Sequence, residues 1–157
     1  MARKPSAGDI DGWLKRFRKY QALETAAQRR RDIPVANRHV EKVTEALNAL
    51  AASGPEGREV LERLMDDPDP STRGRAARRV LAWDPDRAIP VLVRLLDVEC
   101  APPMVSVEAI VIEREAQFAL LDHFGLDILD PTELPGRLAA MGIELPEKIA
   151  RKMRWED

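Results

Sequence analysis

Ile10, Trp13, Leu14, Phe17 and Tyr20 recur at steps of three and four, which places them on one face of a helix from Asp9 to about Arg30. Asp9 or Asp11 can cap its start, and Arg29-Arg30-Arg31 suits its end, where cations meet the negative pole of the helix dipole. Pro34 opens a second helix, to about Ala52, in which Ala36, Val40, Val43, Leu47 and Leu50 form a narrow apolar seam. Ser53-Gly54-Pro55 ends it. A third helix, about Pro55–Met65, buries Val60, Leu61 and Leu64. Asp66-Asp67-Pro68-Asp69-Pro70-Ser71 can hold little besides a tight turn with cap residues. A fourth helix, about Ser71–Ala82, presents Ala76, Ala77, Val80 and Leu81. A fifth, about Pro85–Leu96, presents Ile89, Leu92, Leu95 and Leu96. A longer Pro-containing connection over 97–106 leads to a sixth helix, about Ser106–Phe124, closed by Gly125. Two shorter pieces, about Pro131–Met141 and Pro146–Arg154, complete the pattern, and residues 1–8 are expected to be flexible.

The pattern repeats. Val60, Leu61 and Leu64 align with Val91, Leu92 and Leu95, and Ala76, Val80 and Leu81 align with Ala116, Leu120 and Leu121. The difference between the two offsets falls wholly in the connection around Cys100-Ala101-Pro102-Pro103. Helix pairs that repeat in this way each lack a covered face and obtain it from their neighbours. Ala76, Ala77 and Ala116 would let the second helices of the pairs approach closely.

Leu61-xx-Leu64-Met65-Asp66-Asp67-Pro68-Asp69-Pro70-Ser71-Thr72-Arg73-xx-Ala76-Ala77-xx-Val80-Leu81 resembles a HEAT-like repeat, with its aspartate–proline turn and following arginine. The resemblance implies a single domain over 1–157: an all-α, right-handed superhelix of antiparallel helix pairs, an α-solenoid of seven to eight helices. It also implies that Arg73 ties turns together. Thr72 stands where the pattern usually has an aliphatic residue. A wider stretch, Tyr20 to Leu96, is similar to a family of small bacterial HEAT-like proteins. The residues that carry it are Asn37-Arg38, Leu47, Gly54-Pro55-x-Gly57-Arg58, the Asp-Pro turn, Ala76-Ala77 and Asp84-Pro85. Members of such families often lie beside polymorphic toxin genes, and the resemblance therefore implies an immunity protein.

At 157 residues, with 45% hydrophobic and 33% charged side chains, the chain has the composition of one globular domain. The longest apolar run, Ala109-Ile110-Val111-Ile112, is too short to span a bilayer. Met1-Ala2-Arg3-Lys4-Pro5 lacks the apolar stretch of a secretory signal. The lone Cys100 fits a reducing cytoplasm. Charge changes the picture through its distribution rather than its net value of −2. Residues 1–42 hold eleven Lys/Arg against five Asp/Glu, whereas residues 97–133 hold Arg114 alone against nine acids. A partner should sense that asymmetry.

Candidate chemistry is sparse. His39 and His123 lie far apart, with Cys100 in a third region, so no metal-ligand spacing occurs. Ser53, Ser71 and Ser106 sit at helix boundaries, where capping accounts for them. Cys100 with His123 as base is disfavoured because Asp97 and Glu99 oppose thiolate formation. Gly54-Pro55-Glu56-Gly57-Arg58 lacks the spacing of a phosphate loop. Glu113 and Glu115 flank Arg114, and residues two apart on a helix diverge, so they form no acid–base pair.

No catalytic, metal or cofactor residue is therefore expected, and the chain reads as a binding module. Protein binding is expected at the acidic stretch: Asp97, Glu99, Glu108, Glu113, Glu115, Asp122 and Asp127, with Asp130 beside them. Phe118, Phe124 and Met104 are candidate apolar anchors among these charges, and Phe118 is the one placed in the binding set. A basic toxin domain would be drawn there, because complementary charge raises association rates. Trp155 has two readings, a docked anchor or a frayed end. The alternative function is nucleic-acid binding through Arg75, Arg78, Arg79 and the first helix, with Lys15, Arg16, Arg18 and Lys19. HEAT-like proteins include DNA glycosylases with basic surfaces, but the 97–133 stretch would repel a duplex.

Overall fold

Aspartates start four of the helices. In the computed structural model, which describes residues 3–98 and 106–156, Asp9 caps α1 (Ile10–Arg29) by accepting from the Gly12 N–H at 3.0 Å. Asp32 caps α2 (Ile33–Ala52) through the Val35 N–H at 3.4 Å. Further along, Asp69 caps α4 (Pro70–Val80) and Asp84 caps α5 (Pro85–Arg94). Each of the last two is followed by a proline, whose fixed φ and missing N–H suit a first turn. α3 (Gly54–Leu64) follows α2 directly, and Gly54 takes the left-handed conformation (φ +73) that the junction needs. The remaining helices are α6 (Ser106–His123), α7 (Leu134–Ala140) and α8 (Glu147–Met153). Among the described residues the chain is entirely helical and turn, with no strand.

Expected and observed boundaries differ by two or three residues at some helix ends. α5 stops at Arg94 and tightens into a 3₁₀ turn, Leu95–Asp97. Such tightening is common where the last carbonyls lose their partners. α7 begins at Leu134 rather than near Pro131, because Asp130 folds Thr132 into a local turn before the helix can start. α5 also carries Pro90 in its interior, which removes one backbone donor.

The chain gathers into two compact units, residues 1–64 and 65–157. In the first, α1 packs along α2, and α2 meets α3. Trp13, Phe17, Ala27, Val43, Ala46, Leu47, Leu50 and Leu61 are buried there. α1 ends where Arg31 adopts a left-handed conformation (φ 60) and the Asp32 N–H reaches back to the Ala27 carbonyl at 2.9 Å. Two residues of the segment before α1, Lys4 and Ser6, contact the helices of this unit. Trp13 Nε1 donates to the Ser6 carbonyl at 3.1 Å, and Lys4 pairs with Glu45 at 3.3 Å.

In the second unit α4, α5 and α6 pack against one another, and α7 meets α8. Ala76, Ala77 and Ala116 are buried, which permits the close approach of α4 and α6. Ile89, Leu92, Leu95, Leu120, Leu121, Leu134 and Leu138 fill out the core. Of the repeating positions, Val91 and Leu81 are only half-buried whereas Val60 and Leu121 are buried. Thr72, the departure from the repeat pattern, is fully buried, and its hydroxyl donates to Asp69 Oδ2 at 3.1 Å. Its polar group is thus satisfied by the cap of its own helix. Arg73 Nη1 donates to the carbonyls of Asp67 and Pro68, each at 2.9 Å, and so closes the Asp-Pro turn that precedes its helix.

Candidate protein-binding face on α6

α6 carries apolar side chains on more than one side. Ala109, Ile112, Ala116 and Leu120 recur at three- and four-residue steps and are buried. A second set points to solvent: Val107 is 69% exposed, Ile110 53%, Val111 47% and Phe118 38%. Eleven residues at 1.5 Å per residue spread this set along about 16 Å of helix. A solvent-facing helix surface normally holds polar side chains, so a row of this kind marks a surface suited to contact. Sequence reasoning singled out Phe118 and missed Val107, Ile110 and Val111. The available signal was the unbroken run Ala109-Ile110-Val111-Ile112, which no single helix face can bury.

The acids expected to bind a partner have unequal status. Asp122 is exposed on α6. Glu115 pairs with Arg78 at 3.6 Å, with both side chains nearly half-exposed, and an exposed pair of this kind holds its members only weakly. Glu113 Oε1 accepts from the Val98 N–H at 3.2 Å and so braces the end of the 3₁₀ turn. Asp97 is exposed and pairs with Lys148 at 3.3 Å. Asp127 is exposed, and its Oδ1 accepts from the Leu129 N–H at 2.9 Å within its own turn. Glu108 is half-buried and engaged with a neighbour. Glu99, Cys100 and Met104 lie outside the described residues. Phe124 is half-buried, and the exposed His123 meets its ring edge-on, with centroids 5.1 Å apart. Trp155 is exposed.

Asp130 lies on the same acidic stretch. The Thr132 hydroxyl (2.6 Å) and the Thr132 N–H (3.0 Å) both donate to its Oδ1 and hold its carboxyl below the usual carboxylate range.

The arginines of α4 are engaged to different degrees inside their own unit. Arg73 serves the turn, Arg78 pairs with Glu115, and Arg79 Nη1 donates to the Arg75 carbonyl at 3.2 Å. Burial, reinforced by the charges of Arg78 and Arg75, lowers Arg79 to about 10, so it stays charged at neutral pH. Of the arginines that the alternative reading names, Arg79 is thus engaged with its own helix, whereas Arg78 is held only by its exposed pair with Glu115. The dent beside Arg78 and Glu115 encloses ≈ 10 Å³, room for no more than a water.

Among the described residues, no group of three or more His, Cys, Asp or Glu side chains is gathered as a metal site would need. No described helix is long and apolar enough to cross a membrane. Set against family models, curated proteins and solved structures, the chain matches none.

Proposed function

We propose that the chain is a non-catalytic protein-binding module, that the outer face of α6 is its binding surface, and that its partner is a basic protein. The observation that carries this reading is the exposed row Val107, Ile110, Val111 and Phe118. Water exclusion over such a row supplies affinity, since apolar area removed from water contributes about 25 cal/mol per Å². The choice of a basic partner follows from charge. Residues 97–133 hold nine acids and one cation, Arg114, which is itself exposed on this face of α6 between Val111 and Phe118. Asp122, four residues beyond Phe118 on α6, is exposed, and so is Asp127 in the turn that follows the helix. Charges of this kind at a rim steer encounter and exclude acidic competitors.

In its most specific form the reading is an immunity protein that acts in the cytoplasm and covers the active site of a toxin domain. That form rests on the resemblance carried by Asn37-Arg38, the Asp-Pro turn and Asp84-Pro85, together with the acidic face. The test is a tagged pull-down from the native lysate, run beside a Val111→Asp, Phe118→Asp variant. One basic protein held by wild type and lost by the variant supports the reading. The same proteins recovered by both would sink it.

A further inference from the structure

The first unit contains a feature unrelated to α6. Gly12, Lys15, Arg16, Lys19 and Tyr20 recur at three- and four-residue steps on one face of α1. The segment Arg3–Ser6 lies beside that face, and together they line an open basin of ≈ 740 Å³. Ligand sites for molecules of nucleotide size fall in this range of volume. Five cations face the basin (Arg3, Lys4, Lys15, Arg16 and Lys19) against a single acid in its lining, Asp9.

The placement of these charges is specific. Asp9 is occupied as the cap of α1, through the Gly12 N–H. A Cβ on residue 12 would run into the Asp9 carboxylate, so glycine there keeps the cap folded against the basin wall. Lys4 and Arg16 converge on one carboxylate, Glu45, at 3.3 and 3.5 Å. Arg16 is held in place, with 12% of its side chain exposed and its Cζ 5.0 Å from the Tyr20 ring centroid. Lys19 Nζ lies 5.5 Å from the same centroid. Among the described residues, neither Arg3, Lys15 nor Lys19 pairs with an acid. Cations gathered without counter-charges repel one another, and an anion relieves that repulsion. A single anion would need fewer of them. Several cations, three within little more than one turn of α1 and two on the segment before it, with an aromatic face at one side, suit a run of phosphates carrying a base.

We propose that this basin is a binding site for a phosphate-bearing ligand with consecutive phosphates, in which Arg16 positions the ligand and Arg3, Lys4, Lys15 and Lys19 supply the neutralising charge. The phosphates come either from a free nucleotide or polyphosphate, or from a nucleic-acid strand. The inference is independent of the α6 face.

The experiment uses the full chain and two probes, tripolyphosphate by calorimetry and a fluorescein-labelled single-stranded oligonucleotide by anisotropy, at about 50 mM salt, where phosphate contacts are strong. The test variant is Lys15→Glu, Lys19→Glu. The control is Lys42→Glu, Arg63→Glu, which makes the same charge change at exposed positions away from the basin. Thermal melting checks that both variants fold. The site predicts binding of at least one probe, weakened about tenfold or more by the test variant and far less by the control. With three phosphates engaged, strand affinity should also fall about 20-fold between about 50 and 200 mM salt. Tripolyphosphate binding alone assigns the free ligand as the source, and strand binding that tripolyphosphate does not displace assigns the nucleic acid. No binding of either probe, or equal loss in test and control variants, overturns the proposal.

Discussion

Glu113 Oε1 accepts a hydrogen bond from the Val98 N–H at 3.2 Å, across fifteen positions of the chain. The contact joins the start of the 97–106 connection to α6 and gives Glu113 a structural task, whereas Asp122, farther along the same helix, is exposed. Glu113→Ala leaves a partly buried N–H without its acceptor and should destabilise the protein by about 1 kcal/mol. Glu113→Gln, which keeps an acceptor, should cost less. Asp122→Lys at an exposed site should stay within about 0.5 kcal/mol of wild type. Urea midpoints at constant slope read all three. An unchanged midpoint for Glu113→Ala would show that the contact contributes nothing in solution.

Gly57 sits buried where α2 turns into α3, and its backbone passes close to Leu50 and Ser53. By helix propensity alone, Gly57→Ala would stabilise the protein by about 1 kcal/mol. An added Cβ, however, would overlap the Leu50 carbonyl oxygen and come within 2.9 Å of Ser53 Cβ. Overpacking against rigid backbone costs about 1–3 kcal/mol, so the substitution should lower the melting temperature. A rise would mean that the α2–α3 junction opens at little cost.

The Asp130 carboxyl is depressed first by the Thr132 hydroxyl and second by the Thr132 N–H. A carboxyl whose folded pKa lies below its unfolded value stabilises the folded form above the unfolded pKa, and that contribution is lost as pH falls through the folded one. The turn before α7 should therefore hold at neutral pH and loosen only in acid. Thr132→Val removes the hydroxyl donor and keeps the backbone one, so the Asp130 midpoint, followed by carbon-detected NMR titration, should move upward. A midpoint that stays in place would remove the hydroxyl as the cause.

Helix positions were legible in the chain because three local signals agree: apolar steps of three and four, aspartate caps, and prolines in first turns. Ends were less so. The 3₁₀ turn Leu95–Asp97 and the late start of α7 depend on which carbonyls and side chains happen to be nearby. The candidate face was half legible. Acid clustering showed in the sequence, but α6 carries two apolar rows, and periodicity alone does not tell which row a neighbour covers. Burial of Ala109, Ile112, Ala116 and Leu120 leaves Val107, Ile110, Val111 and Phe118 outside, a tertiary outcome. The basin of the first unit shows the same division. Lys15, Arg16 and Lys19 stood out as a cluster, whereas Arg3 and Lys4 join it only because Trp13 anchors Ser6 and Lys4 reaches Glu45.

The central claim is that the outer row of α6 contacts a basic protein partner. Its most direct test is the dissociation constant of the captured partner, measured by calorimetry for wild type and for Phe118→Ala, with Asp122→Lys as a charge probe. Truncating an aromatic anchor at the heart of an interface costs about 2 kcal/mol, so Phe118→Ala should weaken binding about 30-fold. Asp122→Lys should mainly slow association at low salt. Binding of wild-type strength by Phe118→Ala would contradict the assignment of this face.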